Sequence, residues 1–337
     1  MSQTDISAAG TPHVTVLICV FNEAANLVPL AEELRPVLDP WLGERYEVLF
    51  VNDGSTDGSG EVLDSMAARD KRVRIIHFSR NFGQHAAIAA GMVYSRGDVL
   101  VLMDADLQDP PTAIPVLYAE YRRGAQVVFS LRKERMDSAV RRLTGRWFFR
   151  ILARLLRQPV PENVGTFRLL SRPVVDAFNR LGERSRVTGP LNHWLGFRTA
   201  YVPVEHRSRH EGRSKYGILG LLRLFVWTLT AFSYFPLRVA TTFGFVVTSL
   251  GVAYGAYVLA YRLFVGGVWP GFSALALLVV LFAGVHMFVL GIVGEYVGRI
   301  YTEVQNRPLF LIDKAVNFEA EEPLDREPGR TRRDGNP

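Results

Sequence analysis

The most informative segment of the sequence is Asp98-Val-Leu-Val-Leu-Met-Asp104-Ala-Asp106-Leu-Gln108-Asp109-Pro-Pro111. Its apolar run, residues 99–103, has the length and composition of a strand that is buried on both faces. Carboxylates follow at once, and they therefore lie at the carboxyl end of that strand. In an open α/β sheet this edge binds ligands, and two carboxylates one residue apart suit a hard divalent cation. A bare D-x-D is more often a solvated loop or a helix cap, so the rest of the chain has to decide.

Strand, polar turn and helix alternate along the chain before this stretch. The predicted strands are residues 14–20, 47–51 and 73–78, followed by helices over 24–38 and 59–70 and by an alanine-rich helix that ends at Tyr94. A fifth strand is predicted at residues 126–131. Such alternation predicts a doubly wound, mostly parallel α/β sheet with its ligand crevice along one edge.

Polar turns follow each of these strands, at Phe21-Asn22-Glu23, at residues 52–58 and at residues 80–85. Ordinary turn chemistry explains each turn taken separately. Because parallel strands bring them to one rim, a nucleotide there would find Glu23 and Asp53 as hydrogen-bond acceptors. There is no G-x-G-x-x-G after the first strand and no Walker lysine loop, which argues against a dinucleotide oxidoreductase and a P-loop NTPase.

Hydrophobic residues make up 48% of the chain, and the excess lies in two stretches. Residues 239–261 carry no charge, and His286 is the one ionisable side chain in residues 264–294. Each stretch is long enough for a membrane-spanning helix, which needs about 20 residues. The sequence therefore predicts an integral membrane protein with a large polar N-terminal part.

Charge predicts the orientation in the membrane. The N-terminus lacks the pattern of a signal peptide, and the loop around residues 262–270 has one basic residue. Basic residues flank the two apolar stretches at Arg207, Arg209, Arg213, Lys215, Arg238, Arg299 and Arg307. By the positive-inside rule both flanks are cytoplasmic, and we expect a multi-pass protein of the inner (plasma) membrane. The single cysteine, Cys19, excludes an intrachain disulfide and fits a reducing compartment.

Residues 218–235 hold one charge, Arg223, and their polar residues recur at helical spacing, which predicts a helix lying in the membrane interface. The predicted organisation is a flexible N-terminus (1–12), an α/β domain (13–215), the interfacial amphipathic helix (216–235), transmembrane helices (236–262 and 268–294) and a cytoplasmic tail (295–337) that is disordered from about residue 320.

The chain is basic, with a net charge of +6 and a pI near 9.5. Nucleic acid, an anionic membrane surface and phosphorylated ligands are all compatible with such a charge. No nucleic-acid motif accompanies it, so we favour lipid and substrate phosphates. An arginine-rich stretch, residues 132–146, follows the fifth strand, and guanidinium groups chelate phosphate oxygens. Association into a homo-oligomer is left open.

Several motifs together resemble family 2 glycosyltransferases of the GT-A fold. They are Val20-Phe-Asn-Glu23, Val51-Asn-Asp-Gly-Ser55, Asn81-Phe-Gly-Gln-His85 and Asp104-Ala-Asp-Leu-Gln-Asp-Pro-Pro111. Three further motifs are similar to the polyisoprenyl-phosphate branch of that family, namely Gly165-Thr-Phe-Arg-Leu169, Arg209-His-Glu-Gly-Arg-Ser-Lys-Tyr216 and Gly294-Glu-Tyr-Val-Gly-Arg-Ile-Tyr301.

The resemblance implies a role for individual residues. Asp104 and Asp106 would be catalytic and would bind Mg2+ or Mn2+, with Gln108 assisting. The nucleotide-sugar site would comprise Phe21, Asn22, Glu23, Asp53, Asp104, Ala105, Asp106, Arg209, Ser214 and Lys215. The acceptor phosphate would be bound by Arg132, Arg141 and Arg168.

The function expected from this resemblance is transfer of a sugar from a nucleoside diphosphate, with uridine favoured, to undecaprenyl phosphate or a related polyprenyl phosphate. The reaction would be metal-dependent and inverting, and it would serve modification of a cell-envelope glycan or lipid. A processive membrane polysaccharide synthase is the alternative, although the Q-x-x-R-W segment of such enzymes is not present. A non-catalytic membrane scaffold is a third interpretation, which the complete set of predicted metal ligands disfavours.

Overall fold

The computed structural model describes residues 13–132, 164–182, 195–205, 207, 235–264, 271–305, 307–319 and 322. The chain divides into two compact units, of which one comprises Met1–Arg213 together with Arg307–Pro337 and the other Ser214–Asn306. The chain thus leaves the first unit, forms the second, and returns to the first.

One sheet organises the first unit. Its strands are β1 Val14–Val20, β2 Tyr46–Asn52, β3 Val73–Phe78, β4 Val99–Asp104, β5 Val127–Arg132, β6 Val164–Ser171, β7 Thr199–Val204 and β8 Ile312–Val316. The described helices of this unit are α1 Ala24–Leu42, α2 Ser59–Arg69, α3 Gln84–Tyr94, α4 Ile114–Arg122 and α5 Arg172–Arg180, with a 3-10 turn at Pro111–Ala113. The predicted bounds of β1 to β5 agree with these within one residue.

The strand order is β7-β5-β6-β4-β1-β2-β3-β8. Strands β3, β2, β1 and β4 are parallel neighbours, so their carboxyl ends and the loops after them meet at one edge. β6 runs antiparallel to both β4 and β5, and β8 runs antiparallel to β3. Four of the seven strand pairs are parallel, and the predicted mostly parallel α/β sheet is confirmed.

Apolar residues bury the sheet on both faces. Every residue of β2 is buried, as expected for a strand covered by helices on both sides. On α1 the buried leucines 27, 30, 34, 38 and 42 recur every three or four residues and form the stripe that packs on the core. A Cβ at Gly91 would lie 2.1 Å from Leu17 Cδ1, so α3 lies directly against β1.

The second unit contains two long helices in its described part, α6 Phe235–Phe264 and α7 Phe272–Val304. Within them Leu237–Tyr257 and Phe282–Val304 are long and apolar enough, by length and composition, to cross a membrane. Helix α7 continues beyond the predicted end at Gly294. The predicted flexible N-terminus and nearly all of the predicted interfacial helix lie outside the described residues.

After α7 the chain returns to the first unit, and the sequence did not predict this. We call residues 307–319 with Glu322 the return segment. It contains β8, whose Val316 and Ile312 pair with Ile75 and Phe78 of β3. The predicted disorder from residue 320 lies outside the described residues, except for Glu322.

Candidate active site

Hydrogen bonds join the loops at the carboxyl edge of the sheet, beginning with those after β1 and β2. The Thr56 amide donates to Asn22 Oδ1 at 2.8 Å, and the Asn22 amide donates to Ser55 Oγ at 3.0 Å. Asn22 has φ +57°, in the left-handed region that asparagine tolerates better than most residues. Its side chain therefore fastens the first loop to the second at the position predicted to meet the nucleotide.

The next link joins the loops after β2 and β3. The Asp53 carboxylate, in a residue only 3% exposed, accepts the amides of Phe82 and Gly83 at 2.7 and 2.9 Å. Burial raises the pKa of Asp53, although these two hydrogen bonds oppose the shift. Gly54, at φ +66°, lies so close to the third loop that a Cβ would be 2.4 Å from the Arg80 carbonyl carbon. Glycine is thus required here by both conformation and space.

Asp104 receives a hydrogen bond on each carboxylate oxygen. Gln84 Nε2, at the start of α3, donates to Oδ1 at 3.0 Å, and Thr166 Oγ1 donates to Oδ2 at 2.6 Å. The antiparallel pairing of β4 with β6 ends at Leu102 and Arg168, and two residues beyond that pair Thr166 reaches Asp104. Two elements far apart in sequence therefore orient this carboxylate.

Asp106 follows in a turn whose next residue, Leu107, has φ +59°. Its Oδ1 accepts the Gln108 amide at 3.2 Å, and the side chain is half-buried. The Gln108 carbonyl accepts the amide of Arg207 at 3.0 Å. The three residues predicted to hold a metal therefore occur in one short loop, with both aspartates only partly buried.

Arg168 lies in β6 and is 3% exposed. Burial lowers the pKa of Arg168 to about 10, and the charge of Asp104 opposes the shift. The guanidinium stays protonated at neutral pH and acts as a counter-charge to Asp104. Its predicted contact with an acceptor phosphate stays a prediction.

The other predicted residues are placed as follows. Phe21 is 40% exposed, Ala105 is buried, and Glu23 Oε2 accepts a 2.6 Å hydrogen bond from Asn26 Nδ2. Arg132 ends β5, where its backbone pairs with Val204. Arg141, Arg209, Ser214 and Lys215 lie outside the described residues.

A divalent cation fits this loop as part of a substrate complex. Within the described residues there is no group of three His, Cys, Asp or Glu side chains that could hold a metal ion. Asp104 and Asp106 supply carboxylate oxygens, the donor type that Mg2+ and Mn2+ prefer. Such ions are commonly held by one or two carboxylates together with substrate phosphates and water. The donor set therefore suits a metal that completes its coordination with a diphosphate.

Sequence reasoning missed Gln84 and Thr166 as site residues. Both stand inside motifs that were singled out, Asn81-Phe-Gly-Gln-His85 and Gly165-Thr-Phe-Arg-Leu169. The one feature of the sequence that pointed to a role in the site was that both side chains are polar. What the sequence could not supply was the position of β6 beside β4, which brings Thr166 to Asp104.

Similarity to known proteins shows that this chain is a glycosyltransferase. Residues 15–178 match the family model "Glycosyl transferase family 2", and residues 235–300 match "GtrB C-terminal hairpin". A Bacillus subtilis protein described as uncharacterized glycosyltransferase YkcC is 37% identical, over 90% of this chain and 94% of its own length. The chain belongs to glycosyltransferase family 2, which confirms the predicted family and the GT-A fold.

Two further relatives have names that describe an acceptor. The bactoprenol glucosyl transferase of Shigella phage SfII is 35% identical over 90% of this chain and 98% of its own. The undecaprenyl-phosphate 4-deoxy-4-formamido-L-arabinose transferase of Shewanella sediminis is 34% identical over 91% of this chain and 93% of its own. The similarity thus extends through the two apolar helices as well as the α/β unit.

Proposed function

We propose that this glycosyltransferase moves one sugar from a nucleoside diphosphate, with UDP the favoured carrier, to undecaprenyl phosphate or a related polyprenyl phosphate. The product would serve modification of a cell-envelope glycan or lipid. The observation that carries the proposal is the similarity, over about nine-tenths of the chain, to two relatives named for bactoprenol and undecaprenyl phosphate.

The carboxylate loop would serve the donor diphosphate. Asp104 and Asp106 would hold Mg2+ or Mn2+, with Gln108 beside them. The bound metal supplies charge neutralisation to the departing diphosphate. Gln84 and Thr166 hold the Asp104 carboxylate in one orientation before substrate arrives, so little reorganisation is needed when the donor binds.

The acceptor needs little activation by the protein. A phosphate monoester is already ionised near neutral pH, so its oxygen can attack the anomeric carbon without a general base. The new bond forms between this oxygen and the carbon as the bond to the diphosphate breaks, and in-line attack inverts the anomeric centre. The protein has to bring two anions together. By resemblance, Arg132, Arg141 and Arg168 would bind the acceptor phosphate, and Arg209, Ser214 and Lys215 the donor diphosphate.

The return of the chain supports a location at one membrane face. Strand β8 follows the two apolar helices and pairs with β3 of the α/β unit. Both ends of the helix pair are therefore attached to the same unit, which requires an even number of crossings between β7 and β8. Helices α6 and α7, which are long and apolar enough to cross a membrane, would supply two crossings. We propose that the α/β unit and the C-terminal tail are cytoplasmic, in a multi-pass inner-membrane protein.

Transfer into extractable lipid tests this function. Purified protein in detergent is given labelled UDP-sugars and other nucleotide sugars, with and without undecaprenyl phosphate and with Mg2+, Mn2+ or a chelator. We expect label in the organic phase that depends on both undecaprenyl phosphate and a divalent metal. Label that enters water-soluble polymer without added lipid would favour the processive synthase instead.

A further inference from the structure

A chain of polar side chains runs from the return segment to the turn after β2. Lys314 Nζ, on β8, contacts Asp64 Oδ2 at 2.7 Å, and Asp64 Oδ1 lies 3.2 Å from His77 Nε2. His77 Nδ1 is 3.0 Å from Asn52 Nδ2. The Asn52 side chain then accepts the Ser55 amide on Oδ1 at 3.1 Å. We call residues 52–58 the donor turn.

The hydrogen bonds of this chain converge on Asp64, which accepts from Lys314 on one side and from His77 on the other. Asn52 Oδ1 is engaged by the Ser55 amide, so the Asn52 amide nitrogen faces His77 and donates to its Nδ1. His77 therefore carries its proton on Nε2 and donates it to Asp64. Burial raises the pKa of Asp64, but the hydrogen bonds from Lys314 and His77 and the charge of Lys314 outweigh burial and hold this pKa below its ordinary value.

Aromatic packing makes a second connection to the same place. Phe310, in the return segment, stacks on Phe78 with ring centroids 5.2 Å apart, and Phe78 contacts the Phe82 ring edge-on at 5.7 Å. The Phe82 amide is one of the two that donate to Asp53 of the donor turn. The return segment therefore supports the donor turn through both its polar and its apolar side chains.

The return segment is itself firmly attached to the α/β unit. Asn317 Nδ2 donates to the carbonyls of Ala67 and Val73 at 2.8 and 2.7 Å. Glu322 forms an ion pair with Arg74 at 2.6 Å, where the Arg74 side chain is only 1% exposed. The backbone that carries Lys314 is consequently held against the sheet, while the Lys314 side chain itself is exposed.

We propose that His77 is a positioning residue for the donor turn, and that Lys314, on the segment that follows the membrane helices, is the outer end of the same chain. Donor affinity then depends on a part of the protein that the chain reaches only after both apolar helices. This inference rests on the proposed function in one respect, namely that the donor turn faces the nucleotide.

Two variants of the full-length protein in detergent test the proposal. Lys314→Met removes the charge at the outer end, and His77→Phe keeps the ring but removes both nitrogen atoms. The matched control is Lys71→Met, because Lys71 contacts the return segment at Asn317 Oδ1, 3.3 Å away, without joining the chain. The readouts are KM for donor and acceptor separately, and hydrogen exchange of the amides in residues 52–58.

Because exposed ion pairs are weak, we expect Lys314→Met to raise the donor KM about threefold. We expect His77→Phe to raise the donor KM about tenfold or more, because Asn52 Nδ2 loses its buried acceptor. The acceptor KM should stay unchanged, amides of residues 52–58 should exchange faster, and Lys71→Met should match wild type. Unchanged donor KM in both variants, or equal changes for donor and acceptor, would overturn the proposal. If the wild-type protein transfers no sugar, the proposed function fails. Hydrogen exchange of the amides in residues 52–58 is a separate test, because unchanged exchange in both variants would overturn the coupling between the return segment and the donor turn.

Discussion

Thr166 Oγ1 donates a 2.6 Å hydrogen bond to Asp104 Oδ2, although 62 positions separate the two residues in the chain. The contact joins the end of a parallel strand to the antiparallel strand inserted beside it. Gln84 holds the other oxygen of the same carboxylate. The central acid of the candidate active site is therefore oriented from two sides, which is the arrangement expected of a preorganised site.

Replacing Thr166 with valine tests this orientation. Valine has nearly the same shape and lacks the hydroxyl, so the change removes the hydrogen bond with little loss of packing. A charge-assisted hydrogen bond contributes about 1.5–3 kcal/mol, and we expect kcat/KM to fall roughly ten- to hundredfold. Steady-state kinetics of sugar transfer measure the effect. Thr166→Ser keeps the hydroxyl and should stay near wild type; equal loss in both variants would show that the hydroxyl is not what matters.

Asp106→Ala should abolish transfer while the protein stays folded. The side chain is half-buried in a loop, so its loss leaves the core intact. If Asp106 holds a metal ion, loss of the carboxylate removes several kcal/mol of charge stabilisation in the transition state. We therefore expect kcat to fall at least about a hundredfold. Asp176→Ala is the control, because that carboxylate lies exposed on α5. Chelation of divalent metal should reduce wild-type activity to a similar level, and full turnover in excess chelator would contradict the metal role.

Alanine substitutions at two glycines distinguish the cost of backbone strain from the cost of steric collision. Gly43 and Gly54 both have positive φ, but a Cβ at Gly43 meets nothing within 4 Å, whereas one at Gly54 collides with the backbone of Arg80 and Asn81. Alanine at Gly43 should cost about 1–3 kcal/mol of stability through strain alone. Alanine at Gly54 should cost more and should also weaken donor binding. Thermal unfolding with and without nucleotide measures both effects; equal effects at the two positions would mean that the close approach at Gly54 has no consequence.

Membrane topology is open to a labelling test in intact cells. Single cysteines in a Cys19→Ala background would be placed at Gly271, at the start of α7, and at Asp313, an exposed position of β8. An impermeant thiol reagent should label the first from outside and the second only after the membrane is opened. Labelling at Asp313 in intact cells would place the return segment, and with it the α/β unit, outside.

The first four strands of the sheet could be predicted from the sequence, for a physical reason. Val14–Val20 and residues 99–103 are short, mainly apolar runs that end in polar turns, and local composition suffices to recognise them. Because neighbouring parallel strands end at the same edge of a sheet, Asp53 and Asp104 come to one edge. Local composition therefore sufficed to predict these strands, and their parallel order sufficed to predict the position of the acidic loop.

Contacts between distant segments could not be predicted in the same way. Thr166 meets Asp104 only because β6 inserts antiparallel beside β4, and no local pattern specifies that neighbour. Strand β8 lies within the predicted cytoplasmic tail, and its five residues, two of them charged, show no local strand pattern. Its place is decided by tertiary contacts such as Asn317 with the carbonyls of Ala67 and Val73.

Mass spectrometry of the lipid product shows whether a single sugar has been joined to a polyprenyl phosphate. Purified protein would be incubated with Mg2+ or Mn2+, undecaprenyl phosphate and the nucleotide sugar that gives most extractable label, and the lipid would then be extracted. We predict one new species, heavier than undecaprenyl phosphate by one sugar residue and absent from the Asp106→Ala reaction. Unmodified lipid alone, or a series of lipids that carry several sugars, would contradict the proposed transfer of a single sugar.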